Sequence, residues 1–207
     1  GRLIGIMGSS GAGKSTLLNV LNGINRPDSG EVLINGINIH DEPDKIKGLI
    51  GFVSQDDLLI EELTVFENLF YNAKLCFDNL DDEAITSKVD DVLHSLGLFE
   101  IKDMKVGTPL NKKISGGQRK RLNISLELIR EPAIMFLDEP TSGLSSLDSE
   151  NILDLLNDLK LKGKLIFVVI HQPSSDIFKM FDRLIFLDSG GYMIYYGIPV
   201  RAIDYFK

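Results

Sequence analysis

Gly8, Gly13, Lys14 and Ser15 satisfy the spacing G-x-x-x-x-G-K-[ST], within the run Gly8-Ser9-Ser10-Gly11-Ala12-Gly13-Lys14-Ser15-Thr16. The chemistry of such a run is phosphate binding. Its glycines let successive backbone N–H groups converge on an anion, and a helix opening at its end adds a favourable dipole. Lys14 supplies positive charge to the outer phosphates, and the Ser15 hydroxyl is a ligand for a Mg²⁺ that bridges phosphate oxygens. The run therefore predicts that Gly8 to Thr16 holds the phosphates of ATP together with Mg²⁺.

A second run, Ile134-Met135-Phe136-Leu137, is apolar and ends in the acids Asp138-Glu139. In an open parallel sheet, ligands bind beyond the carboxyl ends of the strands. Asp138 suits the waters around Mg²⁺. Glu139 can take a proton from, or orient, the water that attacks the γ-phosphate. Either acid alone would also suit a strand that simply emerges into solvent. Beside the phosphate loop, the pair predicts nucleotide hydrolysis.

Ser115-Gly116-Gly117-Gln118 is a further anion-binding candidate. A serine hydroxyl, two glycine amides and the start of a basic helix all donate hydrogen bonds there. Taken alone, the segment suits an ordinary helix start equally well, because serine is a good N-cap residue. Preceded by Ile114, it resembles the signature motif of ABC ATPases, usually written LSGGQ, with isoleucine in the leucine position.

Other stretches resemble the same superfamily in chain order. Gln55, in Val53-Ser54-Gln55-Asp56-Asp57, looks like the Q-loop glutamine, which the resemblance assigns to contacts with Mg²⁺ and water. His171, in Val169-Ile170-His171-Gln172-Pro173, looks like the switch histidine that contacts the γ-phosphate, and its place after the strand next to that of Glu139 agrees. Within the superfamily the likeness is to the G subfamily, the White-like transporters. Leu63-Thr64-Val65-Phe66-Glu67-Asn68-Leu69, Arg119-Lys120-Arg121 with Glu127-Leu128-Ile129, Thr141-Ser142-Gly143-Leu144 and His171-Gln172-Pro173-Ser174 carry it.

The resemblance implies an α/β P-loop NTPase of the ABC ATPase type. Its core sheet is mostly parallel, with a β-hairpin region and an α-helical subdomain insertion. A single ATP-binding domain would then fill 1–207, with a RecA-like core at 1–56 and 130–207 and a helical subdomain carrying the signature at about 57–129. It also implies an ATP-dependent head-to-tail dimer, in which Ser115 to Gln118 faces the partner's phosphate loop. The helical insertion would dock on a transmembrane domain or subunit, placing the chain at the cytoplasmic face of a membrane. The rival within the superfamily is a soluble ATPase acting on DNA or ribosomes. Two departures from the pattern stand out. Ser145 occupies the D-loop position where the family places aspartate, with Asp148 too far along to replace it without a shift. The strand region whose aromatic residue stacks on adenine is expected upstream of Gly1.

These groups need elements to position them. Arg2 to Met7 is a short apolar run and Thr16 to Leu21 has leucines at helical spacing, giving strand, loop, helix. Turn residues set off a hairpin of Glu31 to Ile34 and Ile37 to His40, followed by a strand near Ile50 to Ser54. Helices are predicted at Val65 to Cys76, Asp81 to Leu96 and Gln118 to Ile129, the last after a loop holding Gly107 and Pro109. Two apolar strands, Ala133 to Leu137 and Leu165 to Ile170, flank a helix near Ser149 to Leu161, as in a buried parallel βαβ unit. A hairpin of Arg183 to Leu187 and Tyr192 to Tyr196, then a short helix, close the chain.

Composition narrows the classes. The 207 residues are 43% hydrophobic and 25% charged, enough for one globular domain. A net charge of −8 argues against a nucleic-acid partner, although Lys112, Lys113, Arg119, Lys120 and Arg121 form a local basic patch. The lone Cys76 leaves no intrachain disulfide and suits a reducing compartment, packed as a small apolar side chain. No apolar run approaches the ~20 residues that span a bilayer. The opening Gly1-Arg2-Leu3-Ile4 shows no secretory signal and suggests a chain cut at both ends.

Overall fold

A computed structural model describes residues 1–108, 111 and 113–206, so that Pro109 and Lys112, named above, lie outside the described residues. In chain order the strands are β1 (Arg2–Gly8), β2 (Leu33–Ile34), β3 (Ile37–Asn38), β4 (Ile50–Val53), β5 (Ile134–Asp138), β6 (Leu165–Val169), β7 (Arg183–Leu187) and β8 (Met193–Gly197). The helices are α1 (Lys14–Leu21), α2 (Val65–Cys76), α3 (Asp82–Ser95), α4 (Gly116–Leu128), α5 (Ser146–Leu161), α6 (Ser175–Met180) and α7 (Pro199–Tyr205). Contacts divide the chain into one compact unit of Gly1–Gln55, Pro132–Ser142 and Leu156–Lys207, and a second of Asp56–Glu131 and Gly143–Leu155.

The first unit is built on a six-stranded sheet in the order β4-β5-β6-β1-β7-β8. All neighbours are parallel except β7 with β8, which form the expected antiparallel hairpin. The parallel strands are nearly continuous apolar runs because helices cover both faces of such a sheet. Ile6, Ala12, Leu18, Phe136, Val169 and Leu187 form one buried cluster that joins α1 to the sheet. Leu18 is wholly buried, and a side chain of that size contributes about 1.5–3 kcal/mol on leaving water. Phe136 and Phe167 stack across β5 and β6 with ring centroids 5.0 Å apart. The β2–β3 hairpin is shorter than its sequence suggests, pairing only Leu33 with Asn38 and Ile34 with Ile37.

The second unit is helical, and its helices begin on the expected chemistry. Thr64 closes a capping box on α2, Asp81 caps α3 through the Ala84 N–H, and Ser115 closes a capping box on α4. Buried Asn68 fixes the loop before α2. Its Oδ1 accepts from Ile60 N at 2.8 Å, while Nδ2 donates to the carbonyls of Ile60 at 3.0 Å and Thr64 at 2.9 Å. Ile85, Val89 and Leu93 of α3 recur at helical spacing and are wholly buried.

One expectation fails here. Arg119 and Lys120 do not belong to an exposed basic patch, because their side chains are only 7% and 11% exposed. Asp57 lies between them, its Oδ2 accepting from Arg119 Nε and its Oδ1 from Lys120 Nζ, each at 3.2 Å. Arg119 Nη1 also donates to Gly107 O at 2.6 Å, and Arg121 Nη1 to Leu96 O at 3.1 Å. Their charge is spent inside the unit. Burial of cations is expensive unless an acid accompanies them.

Candidate functional site

Gly8 closes β1 where the chain passes the end of β7. A Cβ at this position would sit 2.4 Å from Leu187 O, so only glycine fits. Beyond it, Gly11 and Gly13 take φ of +77° and +89°, left-handed values that aim backbone N–H groups away from the usual helical path. Gly13 precedes α1 and brings no side-chain acceptor to its first turn, in which no acid is present either. The first amides of α1 are thereby left for an anion. Ala12 is buried among Ile6, Leu18 and Phe136 and anchors the loop in the core, whereas Ser9, Ser10, Ser15 and Thr16 are exposed.

Lys14 is 7% exposed. Its Nζ donates to Gly8 O at 3.1 Å and Ser9 O at 3.0 Å, so the ammonium lies across its own loop. A phosphate held by the loop would replace these neutral acceptors with charged ones, which make stronger hydrogen bonds.

β5 delivers the two acids. Asp138 pairs in register with Val169 of β6, and Ile6 of β1 pairs with Val169 from the other side. The carboxyl ends of β1, β5 and β6 therefore share one sheet edge. Asp138 Oδ1 is buried without a hydrogen-bond partner among the described residues. Buried polar oxygens are nearly always satisfied, so this atom fits a hydrated cation. Ser15, Gln55 and Asp138 are oxygen donors suited to Mg²⁺, and among the described residues no cluster of three His, Cys, Asp or Glu forms a metal cage. Such a donor set suits a cation held largely by phosphate oxygens and water.

Glu139 follows with φ of 45°, a left-handed value that few non-glycine residues adopt. Its N–H still donates to Val169 O at 3.1 Å, extending the ladder, while the turn swings the side chain out of the strand path. Gln55 Nε2 reaches Glu139 Oε2 at 3.5 Å, a long contact at the limit of a hydrogen bond. Ile170 N donates to Ile6 O at 3.1 Å, so His171 leaves the same edge, with an exposed ring. Gln172, immediately after it, also has φ of 45°. The structure thus brings Gly8 to Thr16, Gln55, Asp138, Glu139 and His171 to one unit.

Ser115 to Gln118 belong to the second unit. Ser115 Oγ accepts from Gln118 N at 3.1 Å, and Gln118 Oε1 accepts from Ser115 N at 2.7 Å. This capping box uses two amides and leaves those of Gly116 and Gly117. Two residues not singled out for the site by sequence lie beside this helix. One is Asp57, in ion pairs with Arg119 and Lys120; the other is Asp148, whose Oδ1 would be 2.6 Å from a Cβ at Gly117. The glycine at 117 was the available signal for a close neighbour. Cys76, half-buried on α2, has its thiol pushed up by burial and takes no part.

A phosphate loop at the head of a parallel sheet, with two acids at the same edge, defines a P-loop nucleotide-binding domain. The chain belongs to the ABC transporter family, whose model matches residues 1–142, and it is an ATPase domain of that family. A model described as ABC-2 type transporter matches residues 171–207. ABC transporter G family member 28 of Arabidopsis thaliana is 43% identical over 211 residues, covering 100% of this chain and 19% of the relative. The broad substrate specificity ATP-binding cassette transporter ABCG2 of Mus musculus is 42% identical over 204 residues, covering 97% of this chain and 30% of the relative. The ABC-type transporter claG of Penicillium crustosum is 39% identical over 208 residues, 100% of this chain and 28% of the relative. The chain therefore spans a minor part of the length of these relatives.

Among solved structures, cbiO1 from Clostridium perfringens, part of the ABC transporter complex cbiONQ, superposes with a TM-score of 0.83 at 28% identity. The match covers 98% of this chain and 79% of that one. The expected fold and G-subfamily likeness both hold, and the soluble non-transport alternative is not favoured by these relatives.

Proposed function

We propose that this chain is the motor domain of a membrane transporter, binding Mg-ATP on Gly8 to Thr16 and hydrolysing it to drive movement of a membrane-spanning partner. The single observation that carries the reading is the shared sheet edge. There the loop after Gly8, the buried Asp138 Oδ1, which has no hydrogen-bond partner among the described residues, and the left-handed Glu139 leave adjacent parts of one sheet.

Roles follow from chemistry. Lys14 neutralises phosphate charge, and the amides of the loop and of α1 hold the phosphate oxygens. Ser15, Gln55 and Asp138 would hold Mg²⁺, directly or through its waters, and the ion supplies charge neutralisation when bound. Glu139 accepts a proton from the attacking water, and His171 contacts the γ-phosphate from the end of β6. The amides of Gly116 and Gly117, with the Ser115 hydroxyl and Gln118, receive the γ-phosphate of a second, head-to-tail copy. Nucleotide then acts as part of the interface, and its hydrolysis releases the pair. The helical unit passes this motion to a transmembrane domain or subunit, with the chain at the cytoplasmic face of the membrane. Both the match to an ABC-2 type transporter model and the complex that contains cbiO1 support a membrane partner.

The test uses Glu139→Gln, which keeps the side chain's size and removes the proton acceptor. The variant should bind ATP, lose at least 100-fold in turnover, the order of a lost general base, and sediment as a dimer only with Mg-ATP. Unchanged turnover would sink the role of Glu139. A monomer at saturating Mg-ATP would sink the paired mechanism.

A further inference from the structure

We infer that Asp148 is a resident counter-charge at the signature segment and sets how much nucleotide is needed to bring two copies together; this rests on the paired mechanism proposed above.

The carboxylate is held in place by Ser145, the residue before α5. Ser145 Oγ accepts from Asp148 N at 3.1 Å and donates to Asp148 Oδ2 at 2.8 Å. Ser149 Oγ donates back to Ser145 O at 2.9 Å, which fixes the turn. With Oδ2 engaged, Oδ1 faces the first turn of α4. A Cβ on Gly117 would lie 2.6 Å from Oδ1 and 3.0 Å from the carboxylate carbon, and a Cβ on Gly116 would lie 3.2 Å from Leu144 Cδ2. Leu144 and Asp148 thus cover the two glycines whose amides the capping box leaves over. Neither glycine has a positive φ, and at Gly117 the close approach of Asp148, not backbone conformation, leaves no room for a Cβ unless the carboxylate shifts.

A helix start carries partial positive charge and attracts one anion. Asp148 places a carboxylate beside that start from within the chain, on the side of Gly117 where a Cβ would lie. A γ-phosphate arriving at Gly116 and Gly117 meets the same amides and a fixed negative charge beside them. The two anions repel, and the repulsion opposes nucleotide-driven association. The pattern of the segment fits this division. Ser145 keeps the hydrogen bonding that starts α5, while the charge stands three residues on, turned toward Gly117.

Asp148→Asn tests the charge alone, because its amide oxygen still accepts from Ser145. The full chain carrying Glu139→Gln, in which bound ATP should persist, is compared with and without Asp148→Asn by sedimentation across a Mg-ATP titration. Half-maximal association should need roughly threefold to tenfold less ATP in the Asn variant at low salt, the size of one like-charge contact near a protein surface. The gain should shrink in about 0.5 M salt. Damage to the fold would raise the ATP requirement, so a decrease is diagnostic. An unchanged or raised requirement overturns the inference while leaving the paired mechanism standing. Failure of the Glu139→Gln parent to associate at all overturns both. Should the Asn variant not fold, Ser145→Ala, which keeps the charge but releases Oδ2, must show a smaller decrease of the same sign; no decrease overturns the inference.

Discussion

Replacing Asp57 with asparagine should destabilise the helical unit far more than loss of a surface acid would. The side chain is 24% exposed, and the Arg119 and Lys120 side chains that it binds are 7% and 11% exposed. Removing one partner of a buried ion pair costs about 3–5 kcal/mol, because the remaining charge stays desolvated. Two considerations lower that figure. Asp57 retains some water, and Arg119 keeps its hydrogen bond to Gly107 O at 2.6 Å. A loss of about 2–3 kcal/mol is the result. For a chain of this size each kcal/mol moves the melting midpoint by about 2–4 °C, so calorimetry should record a fall of roughly 5–10 °C. High salt should change the fall little, because buried pairs are poorly screened. A shift under about 2 °C would refute the reasoning. The sharper check is a triple variant, Asp57→Asn with Arg119→Met and Lys120→Met. By removing all three charges it should recover most of the loss, since apolar replacement of buried ion pairs is often neutral. A triple variant less stable than the single one would show that geometry, and not charge, is what Asp57 provides.

Two further outcomes follow from the loop and from α2. Lys14→Ala removes a cation that would bind phosphate, and should weaken ATP binding by roughly tenfold to a hundredfold, the worth of one charged hydrogen-bond donor; unaltered affinity in a labelled-ATP titration would count against the loop. Thr64→Ala breaks the capping box of α2 and should lower the melting midpoint by roughly 2–4 °C at neutral pH. The backbone N–H and hydroxyl of Thr64 hold the Glu67 carboxyl below its ordinary value of 4.5. A lowered carboxyl stabilises the fold above its unfolded pKa, and that contribution is lost as pH falls through the folded value. Alanine keeps the Thr64 N–H, so only the hydroxyl's share of the Thr64→Ala deficit should shrink below about pH 4.5, and a deficit equal at pH 3 and pH 7 would exclude any effect of the hydroxyl through the carboxylate.

The parts of the site that sequence predicts are those whose chemistry fixes residue types at short spacing. Gly8, Gly13 and Lys14 must lie within one loop, so the motif contains its own geometry. β5 and β6 are legible for a related reason, since strands covered on both faces are apolar throughout and end abruptly at Asp138 and His171. Burial of charge is not local in the same way. Arg119 looks like a surface residue because its partner Asp57 is 62 positions away, and composition records the cation without the acid that neutralises it. Helix α6 is not legible in the sequence because its six residues, capped by Ser174, are too few to display a period.

Ser115 to Gln118 presents a different case, since sequence offers two explanations, a capped helix start and an anion site. The structure makes them compatible. Ser115 and Gln118 satisfy one another at 2.7 Å and 3.1 Å, which holds the turn rigid without using the amides of Gly116 and Gly117. A helix start that caps itself needs no ligand for stability, so in the proposed paired mechanism a ligand's binding energy would go to joining two molecules instead of repairing one. In the paired mechanism proposed above, Asp148 beside Gly117 would set how strong that joining is, and the contact is visible only after folding brings residues 117 and 148 together.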